Sequence, residues 1–169
     1  GRPDLAIGAP RAGGSTYVVF GRPNATNIDL DILGTQGFRI DGRAGSIDHY
    51  GLSVAGVGDM NGDGHPDLAV GGGRHDGDTR PAPGPIVVVY GTPNPRDVAI
   101  ATIGNDGFFV TGHWGDLVAV VAGVGDMNSD GLPDLALRPN TYSAGTTVYV
   151  IYGQANRTTN VDVRALEGD

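Results

Sequence analysis

Oxygen-bearing side chains recur at every second position in two short segments of this chain. The first segment is GDMNGDGHPD, residues 58–67, and the second is GDMNSDGLPD, residues 125–134. Carboxylates packed this closely repel one another unless a cation compensates their charge. The spacing therefore indicates two sites for a metal ion.

The candidate ligands stand at positions 1, 3, 5, 7 and 9 of each segment. They are Asp59, Asn61, Asp63, His65 and Asp67 in the first copy, and Asp126, Asn128, Asp130, Leu132 and Asp134 in the second. Position 6 is glycine in both copies, which permits a sharp turn, and position 7 would contribute its backbone carbonyl because its side chain differs. A flexible, all-oxygen set suits Ca²⁺ better than Mg²⁺, and Zn²⁺ would require nitrogen or sulfur. We therefore expect two complete calcium sites.

Two other interpretations of these segments fit their spacing less well. Solvated Asx turns without metal would also use Asp and Asn in loops, but two full copies of one spacing favour calcium. An EF-hand requires Glu at position 12, where this chain has Val70 in one copy and Leu137 in the other. Both residues lie in strand-like sequence, so a helix-loop-helix site is excluded.

Composition narrows the possible functions. The 169 residues include 30 Gly, 11 Pro and no Cys, with a net charge of −8, and Glu167 is the one Glu among 19 acidic residues. Asp favours turns and ligand loops, whereas Glu favours helices, so short strands and many turns are expected. The 11 cationic residues are all Arg and form no basic stripe, which argues against a nucleic-acid partner. The sequence contains no apolar run of membrane-spanning length. Its first residues do not read as an export signal, which leaves open a signal that was removed or lies upstream.

The chain repeats itself with a period in the mid-sixties. The segment GVGDMNGDGHPDLAVGGG (56–73) returns as GVGDMNSDGLPDLALRPN (123–140), and GRPDLAIGAP at the start matches the second half of both. Asp4 therefore corresponds to Asp67 and Asp134, which indicates a third, partial calcium site. A strand-like run ending in aromatic-glycine follows each copy: STYVVFG, PIVVVYG and TTVYVIYG.

One unit contains four short strands, approximately YGLSVAGVG, DLAVGG, PIVVVYG and GFFVTG, with the acidic loop between the first two. Four antiparallel strands repeated radially are typical of a propeller blade, so we predict an all-β partial β-propeller of about two and a half blades. A β-sandwich would also have short strands, but it would not need the same loop in each unit. Residues 1–42 end a first blade unit, 43–112 form a full repeat with loop 59–67, and 113–169 form a repeat with loop 126–134 that is incomplete at the C-terminus.

The segment YGLSVAGVGDMNGDGHPDLAVGGG, together with DLAIGAP, resembles the FG-GAP repeats of integrin α-subunit propellers and of their bacterial relatives. Departures are GGG (71–73) and RPN (138–140) in place of Gly-Ala-Pro, and the absence of aromatic-glycine from 113–125 in its usual place. The resemblance implies a propeller of about seven blades used for adhesion or ligand binding, without catalysis in the module itself. The remaining blades of a longer chain, or self-association, would cover the open ends.

The expected function is therefore a non-catalytic, calcium-binding module for extracellular adhesion or for binding a protein or glycan. A ligand would bind the face opposite the calcium loops, and the candidate contacts there are Arg74, His75, Arg80, Trp114 and Tyr142. An accessory propeller of a secreted hydrolase or lyase, with its catalytic part outside this chain, remains an alternative. Independent hydrolytic activity has little support, because the four His residues are scattered and no nucleophile elbow is present.

Overall fold

The computed structural model describes residues 2–11, 13–24, 27–44, 48–73, 86–112, 119–139 and 147–166. These parts of the chain form short strands: β1 (Leu5–Ala9), β2 (Ser15–Val19), β3 (Gly37–Asp41), β4 (Ser53–Gly58), β5 (Asp67–Gly71), β6 (Ile86–Val89), β7 (Val98–Ala99), β8 (Gly107–Thr111), β9 (Ala119–Gly125), β10 (Asp134–Pro139), β11 (Tyr149–Ile151) and β12 (Val161–Asp162). Short 3₁₀ turns cover Leu30–Ile32, Gly34–Gln36, Ile100–Thr102, Gly104–Asp106 and Val163–Leu166. No helix in these ranges has the length and apolar character needed to cross a membrane.

The strands form three sheets, numbered here in chain order. Sheet 2 has the order β12-β8-β6-β5-β4, and its strands β4, β5, β6 and β8 pair antiparallel, as the repeat predicts. Sheet 1 is β1-β2-β3-β7, and sheet 3 is β11-β10-β9. The prediction of an all-β fold built from partial propeller blades is confirmed.

Each of the first two sheets also receives a short strand from the following unit. The strand β7 pairs parallel to β3, and β12 pairs parallel to β8. The residue before each added strand reinforces the pairing: Asp97 Oδ1 accepts the Arg39 N–H at 2.7 Å, and Asn160 Oδ1 accepts the Phe109 N–H at 2.9 Å. Successive blade units are therefore joined at their outer edges, which the expectation of four strands per unit did not include.

Sheet 2 is buried on both faces, which explains why β6 reads IVVV without a polar residue. The side chains of Val87 and Val88 point to opposite faces, and both are fully buried. One face packs on sheet 1 through a cluster that includes Ile40, Val70, Val87, Val89 and Phe109. The other face packs on sheet 3 through a cluster that includes Val88, Phe108, Val121, Leu135 and Ile151. The two clusters therefore pack sheet 2 between sheet 1 and sheet 3.

The inner strands of sheets 2 and 3 approach closely at a pair of glycines. A Cβ added to Gly123 would lie 2.5 Å from the carbonyl oxygen of Gly56. A side chain at position 123 would therefore separate β9 from β4. This close packing places the β4–β5 loop beside the β9–β10 loop, where a Cβ on Gly62 would lie 3.4 Å from Leu132 Cδ2.

Candidate metal sites

The two acidic loops occupy equivalent places in the fold. Residues 59–66 connect β4 to β5, and residues 126–133 connect β9 to β10. In both sheets the loop follows the strand that packs against the neighbouring sheet. The sequence placed the loop between the first and second strands of the unit, and the structure has it there.

In the first loop, three side chains at alternate positions accept bonds from the loop's own backbone. Asp59 accepts the N–H groups of Asp63 and Gly64 at 2.9 and 2.8 Å. Asn61 Oδ1 accepts the Asp63 N–H at 3.1 Å, and Asp63 Oδ1 accepts the His65 N–H at 2.8 Å. The alternation seen in the sequence thus becomes a curl in which the side chains at positions 1, 3 and 5 all bond to the loop backbone.

The second loop repeats these bonds one for one. Asp126 accepts the N–H groups of Asp130 and Gly131 at 3.1 and 2.9 Å. Asn128 Oδ1 accepts the Asp130 N–H at 3.1 Å, and Asp130 Oδ1 accepts the Leu132 N–H at 2.9 Å. Replacing His by Leu at position 7 leaves the bond unchanged, because only the backbone takes part in it.

Two backbone positions in each loop adopt left-handed conformations. Position 6 is Gly64, with φ of 90°, in the first loop and Gly131, with φ of 92°, in the second. Position 4 is Gly62, with φ of 72°, in the first loop but Ser129, with φ of 62°, in the second. A residue with a Cβ is strained in this region, so the second loop stores strain that the first avoids.

The carboxylate at position 9 is the buried member of each set. Asp67 and Asp134 are 3% and 0% exposed. Asp67 accepts the Met60 and Gly91 N–H groups, each at 2.9 Å, and Asp134 accepts those of Met127 and Gly153 at 2.8 and 2.9 Å. Each carboxylate therefore fastens its loop to the turn that follows the third strand of the same sheet.

Asp4 has the corresponding contact in sheet 1. Its Oδ1 accepts the Gly21 N–H at 2.8 Å, and Gly21 follows Phe20 as Gly91 follows Tyr90. Asp4 itself is exposed, unlike its two counterparts. The three aspartates that align in the sequence, Asp4, Asp67 and Asp134, thus each accept the N–H of the glycine that follows the aromatic residue. Sequence reasoning missed the glycine partner, although the aromatic-glycine pair that ends each run was a signal for it.

The pKa of Asp67 is raised to about 6, chiefly by burial and also by the neighbouring charges of Asp63 and Asp59, against the opposing effect of the hydrogen bonds from the Gly91 and Met60 N–H groups. Burial and two neighbouring carboxylates disfavour the charged form of Asp67. A cation bound beside it would stabilise that charged form. The loop therefore combines oxygen donors with uncompensated negative charge.

The donor set fits calcium in its chemistry, since positions 1, 3, 5 and 9 offer carboxylate or amide oxygen and no sulfur is present. Within the described ranges, however, no three Asp, Glu, His or Cys side chains form a group placed to hold a metal ion. The side chains at positions 1, 3 and 5 are turned to backbone N–H groups, which is also the arrangement of Asx turns. The expected ligands are thus close in the chain and share a loop, and calcium coordination by them stays a prediction.

The candidate ligand-binding residues on the opposite face lie outside the described residues. These are Arg74, His75, Arg80, Trp114 and Tyr142. Of the four histidines, His49 and His65 are described; His65 lies in the first loop, and His49 Nδ1 lies 2.7 Å from the Pro10 carbonyl oxygen, a structural contact.

The fold and the paired loops define a repeat module made of propeller-type blades. The FG-GAP repeat model matches residues 50–89, which span β4, β5 and β6 with the first acidic loop. Integrin alpha-6 of Gallus gallus is 29% identical over 144 residues, covering 81% of this chain and 12% of that protein. Integrin alpha pat-2 of Caenorhabditis elegans is 31% identical over 105 residues, covering 60% of this chain and 8% of that protein.

A second group of relatives carries a different name. Phosphatidylinositol-glycan-specific phospholipase D of Mus musculus is 36% identical over 108 residues, covering 56% of this chain and 12% of that protein. The matched part of this chain thus spans only 8–12% of the length of these relatives. It contains an FG-GAP repeat in an integrin-α-like sequence, and the resemblance drawn from its motifs is confirmed in that respect. Kinship with bacterial proteins in particular stays a prediction.

Proposed function

We propose that this chain is a non-catalytic, calcium-stabilised propeller module that binds a protein or glycan outside the cell. The observation that carries the proposal is the repetition of one oxygen-lined loop, with the same hydrogen bonds, in two neighbouring sheets. In each loop the side chains at positions 1, 3, 5 and 9 and the carbonyl at position 7 would hold one Ca²⁺. Asp4 would contribute to a third, partial site.

The proposed role of calcium is structural. A bound ion supplies the positive charge that the clustered carboxylates lack, and it favours the folded chain by mass action. Calcium sites in extracellular modules bind at roughly 10⁻⁴ to 10⁻³ M, so sites of this class fill outside cells and stay largely empty in cytosol. The proposed extracellular location follows from that affinity and agrees with the integrin-like sequence.

Thermal unfolding with and without calcium tests the structural role. We expect millimolar calcium to raise the melting temperature of the purified chain and a chelator to lower it. The double variant Asp59→Asn, Asp126→Asn keeps the side-chain volume while removing one charge from each loop, and its calcium response should be smaller. Melting curves of the wild-type chain that are identical with calcium and with chelator would refute the proposal.

The remaining blades of a longer protein are proposed as the partners that cover the open faces, with self-association as the alternative. The face opposite the calcium loops is proposed as the ligand-binding face. Measuring the molar mass of the purified chain by light scattering separates the two modes. A monomer supports blades supplied in the same longer chain, whereas a closed oligomer supports self-association.

A second candidate function rests on the phospholipase D relative. An accessory propeller of a secreted hydrolase or lyase would have the same blades and loops, with the catalytic part elsewhere in the protein. The sequence of the gene on both sides of this segment separates the candidates: an attached hydrolase or lyase domain favours the accessory role, and further repeats favour adhesion. Turnover of substrate by the purified 169-residue chain would contradict both.

A further inference from the structure

A cleft of about 770 Å³ opens between sheets 1 and 2. Its walls include the aromatic side chains of Phe20, Phe38 and Tyr90, together with the loop that follows β6. The volume lies within the range of ligand-binding clefts in proteins. Its lining also includes Asn61, Asp63, His65, Pro66 and Asp67 of the first acidic loop, four of which are candidate calcium ligands.

The repeat supplies a matching place between sheets 2 and 3. Tyr90 directly follows β6, as Phe20 directly follows β2. Phe108 is the second residue of β8, as Phe38 is the second residue of β3. The ring centroids of Tyr90 and Phe108 are 6.0 Å apart with planes at 44°, and those of Phe20 and Phe38 are 6.0 Å apart with planes at 46°. The two aromatic pairs therefore have the same geometry.

Between sheets 2 and 3 this place is filled by an arginine of the chain. The guanidinium carbon of Arg157 lies 5.2 Å from the centre of the Phe108 ring, within cation–π distance. Its Nη2 donates to the Tyr152 carbonyl at 3.0 Å, and the Tyr90 hydroxyl donates to the Arg157 carbonyl at 2.7 Å. Phe108, which also belongs to the core between sheets 2 and 3, is 1% exposed.

Between sheets 1 and 2 the chain offers a proline instead. Counted from the glycine after the third strand, Pro95 stands where Arg157 stands in the following unit, and the segment 92–97 is one residue shorter than 154–160. Pro95 cannot present a guanidinium, and Phe38 remains partly exposed. The Tyr152 carbonyl, which accepts a hydrogen bond from Arg157, corresponds by position to the carbonyl of Tyr90. Tyr90 also lines the cleft.

The charge of the cleft favours a cation. Its described lining includes the carboxylates of Asp4, Asp63, Asp67 and Asp106 against the guanidinium of Arg96. Arg96 is already paired, since its Nη2 lies 2.7 Å from Asp106 Oδ2, and its side chain is 60% exposed at the rim. Calcium in the first loop would compensate Asp63 and Asp67, which leaves Asp4 and Asp106 against Arg96, a net negative charge.

We propose that this cleft binds an arginine side chain presented by a partner polypeptide, with the guanidinium stacked on Phe38 in the manner of Arg157 on Phe108. The basis of the proposal is the geometry of the two aromatic pairs, and calcium in the first loop enters only the charge of the cleft.

A peptide from the chain itself provides the probe. Acetylated and amidated QANRTT, the sequence of residues 154–159, carries the arginine that fills the second cleft. We expect its titration into the ¹⁵N-labelled 169-residue chain in calcium buffer to cause saturable shifts at the amide signals of Phe38, Tyr90 and Asp106. Replacing the arginine by citrulline, which is nearly isosteric but neutral, should weaken binding about tenfold, as expected for the loss of a desolvated cation–π contact.

Two variants, each checked for folding, test whether binding depends on the empty cleft and on the Phe38 ring. Pro95→Arg supplies an internal guanidinium and should abolish the shifts, whereas Phe38→Leu keeps apolar volume without the ring face and should weaken binding about tenfold. Folding of each variant is checked by its circular dichroism spectrum and by cooperative thermal unfolding. In Arg157→Ala the second cleft opens, and a further set of shifts at Phe108 and Tyr152 is expected.

Four results would overturn the proposal. They are an absence of shifts at Phe38, equal binding of the citrulline or a lysine peptide, unchanged binding by Pro95→Arg, and a wild-type dimer that Pro95→Arg disperses. The last result would assign the cleft to contact between two copies of this chain.

Discussion

Asp67 and Gly91 are separated by 24 residues and joined by a 2.9 Å hydrogen bond from the glycine N–H to a carboxylate oxygen. The second oxygen of the same carboxylate accepts the Met60 N–H, also at 2.9 Å. One buried side chain thus links the acidic loop to the end of β6. Asp134 links the second loop to Gly153 in the same way.

Replacing Asp67 by Ala should therefore destabilise the chain even when calcium is absent. Two N–H groups would lose their acceptor, and each lost bond of this kind costs about 1–3 kcal/mol. We expect a loss of about 2–4 kcal/mol in the free energy of unfolding, measured by urea denaturation in the presence of chelator.

The matched control is Asp63→Ala in the same loop, where the carboxylate is exposed and water can replace it. Its cost in chelator should stay below about 1 kcal/mol. Equal losses for Asp67→Ala and Asp63→Ala would contradict the assignment of position 9 as the buried link.

Calcium stoichiometry should follow the number of intact loops. Isothermal titration of the wild-type chain should give two calcium ions of similar affinity, because both loops have the same donors and the same hydrogen bonds. Asp59→Asn and Asp126→Asn should each weaken one site, since fewer charged ligands lower calcium affinity. Retention of two unchanged sites in either variant would exclude position 1 as a ligand.

Ser129 offers a stabilising substitution. Its φ of 62° is costly for a residue with a Cβ, and the first loop has Gly62 at the same position. Ser129→Gly should raise the free energy of unfolding by up to about 1 kcal/mol, and Gly62→Ser should lower it by about 1 kcal/mol. Chemical denaturation of the two variants checks this, and effects of the same sign would argue against backbone strain as the cause.

Gly123 and Gly56 should differ sharply in their tolerance of alanine. A Cβ on Gly123 would meet the Gly56 carbonyl oxygen at 2.5 Å, whereas a Cβ on Gly56 would meet nothing within 4 Å. Gly123→Ala should therefore cost about 1–3 kcal/mol by pushing β9 from β4, and Gly56→Ala should be neutral within about 1 kcal/mol. Thermal unfolding of both variants measures the difference, and equal costs would show that inter-sheet packing is not responsible.

Much of the fold could be predicted from local sequence patterns. The runs DLAVGG, PIVVVYG and GFFVTG contain β5, β6 and β8, because β-branched and aromatic residues between glycines specify short buried strands. The outer strands β7 and β12 escaped the pattern, since each has two residues and pairs in parallel with a strand of the preceding unit. Such pairing depends on how one unit is placed beside the next.

The place of the acidic loops between two strands was predictable, because all the candidate ligands of each loop lie within nine residues and the flanking runs read as strands. The contact of Arg157 with Phe108 was not predictable, because the residues are 49 positions apart and lie in different units. Their meeting depends on the length of the segment after β11 and on the packing of sheet 2 against sheet 3.

The sequence by itself determined the repeat, the strand character of its runs and the spacing of oxygen ligands, since these properties depend on residues close together in the chain. Only the tertiary structure decided that position 9 is buried against Gly91 and Gly153, and that an arginine fills one of two matching inter-sheet clefts. The physical reason is that burial and contact between distant residues arise when the sheets pack, and packing depends on the whole chain at once.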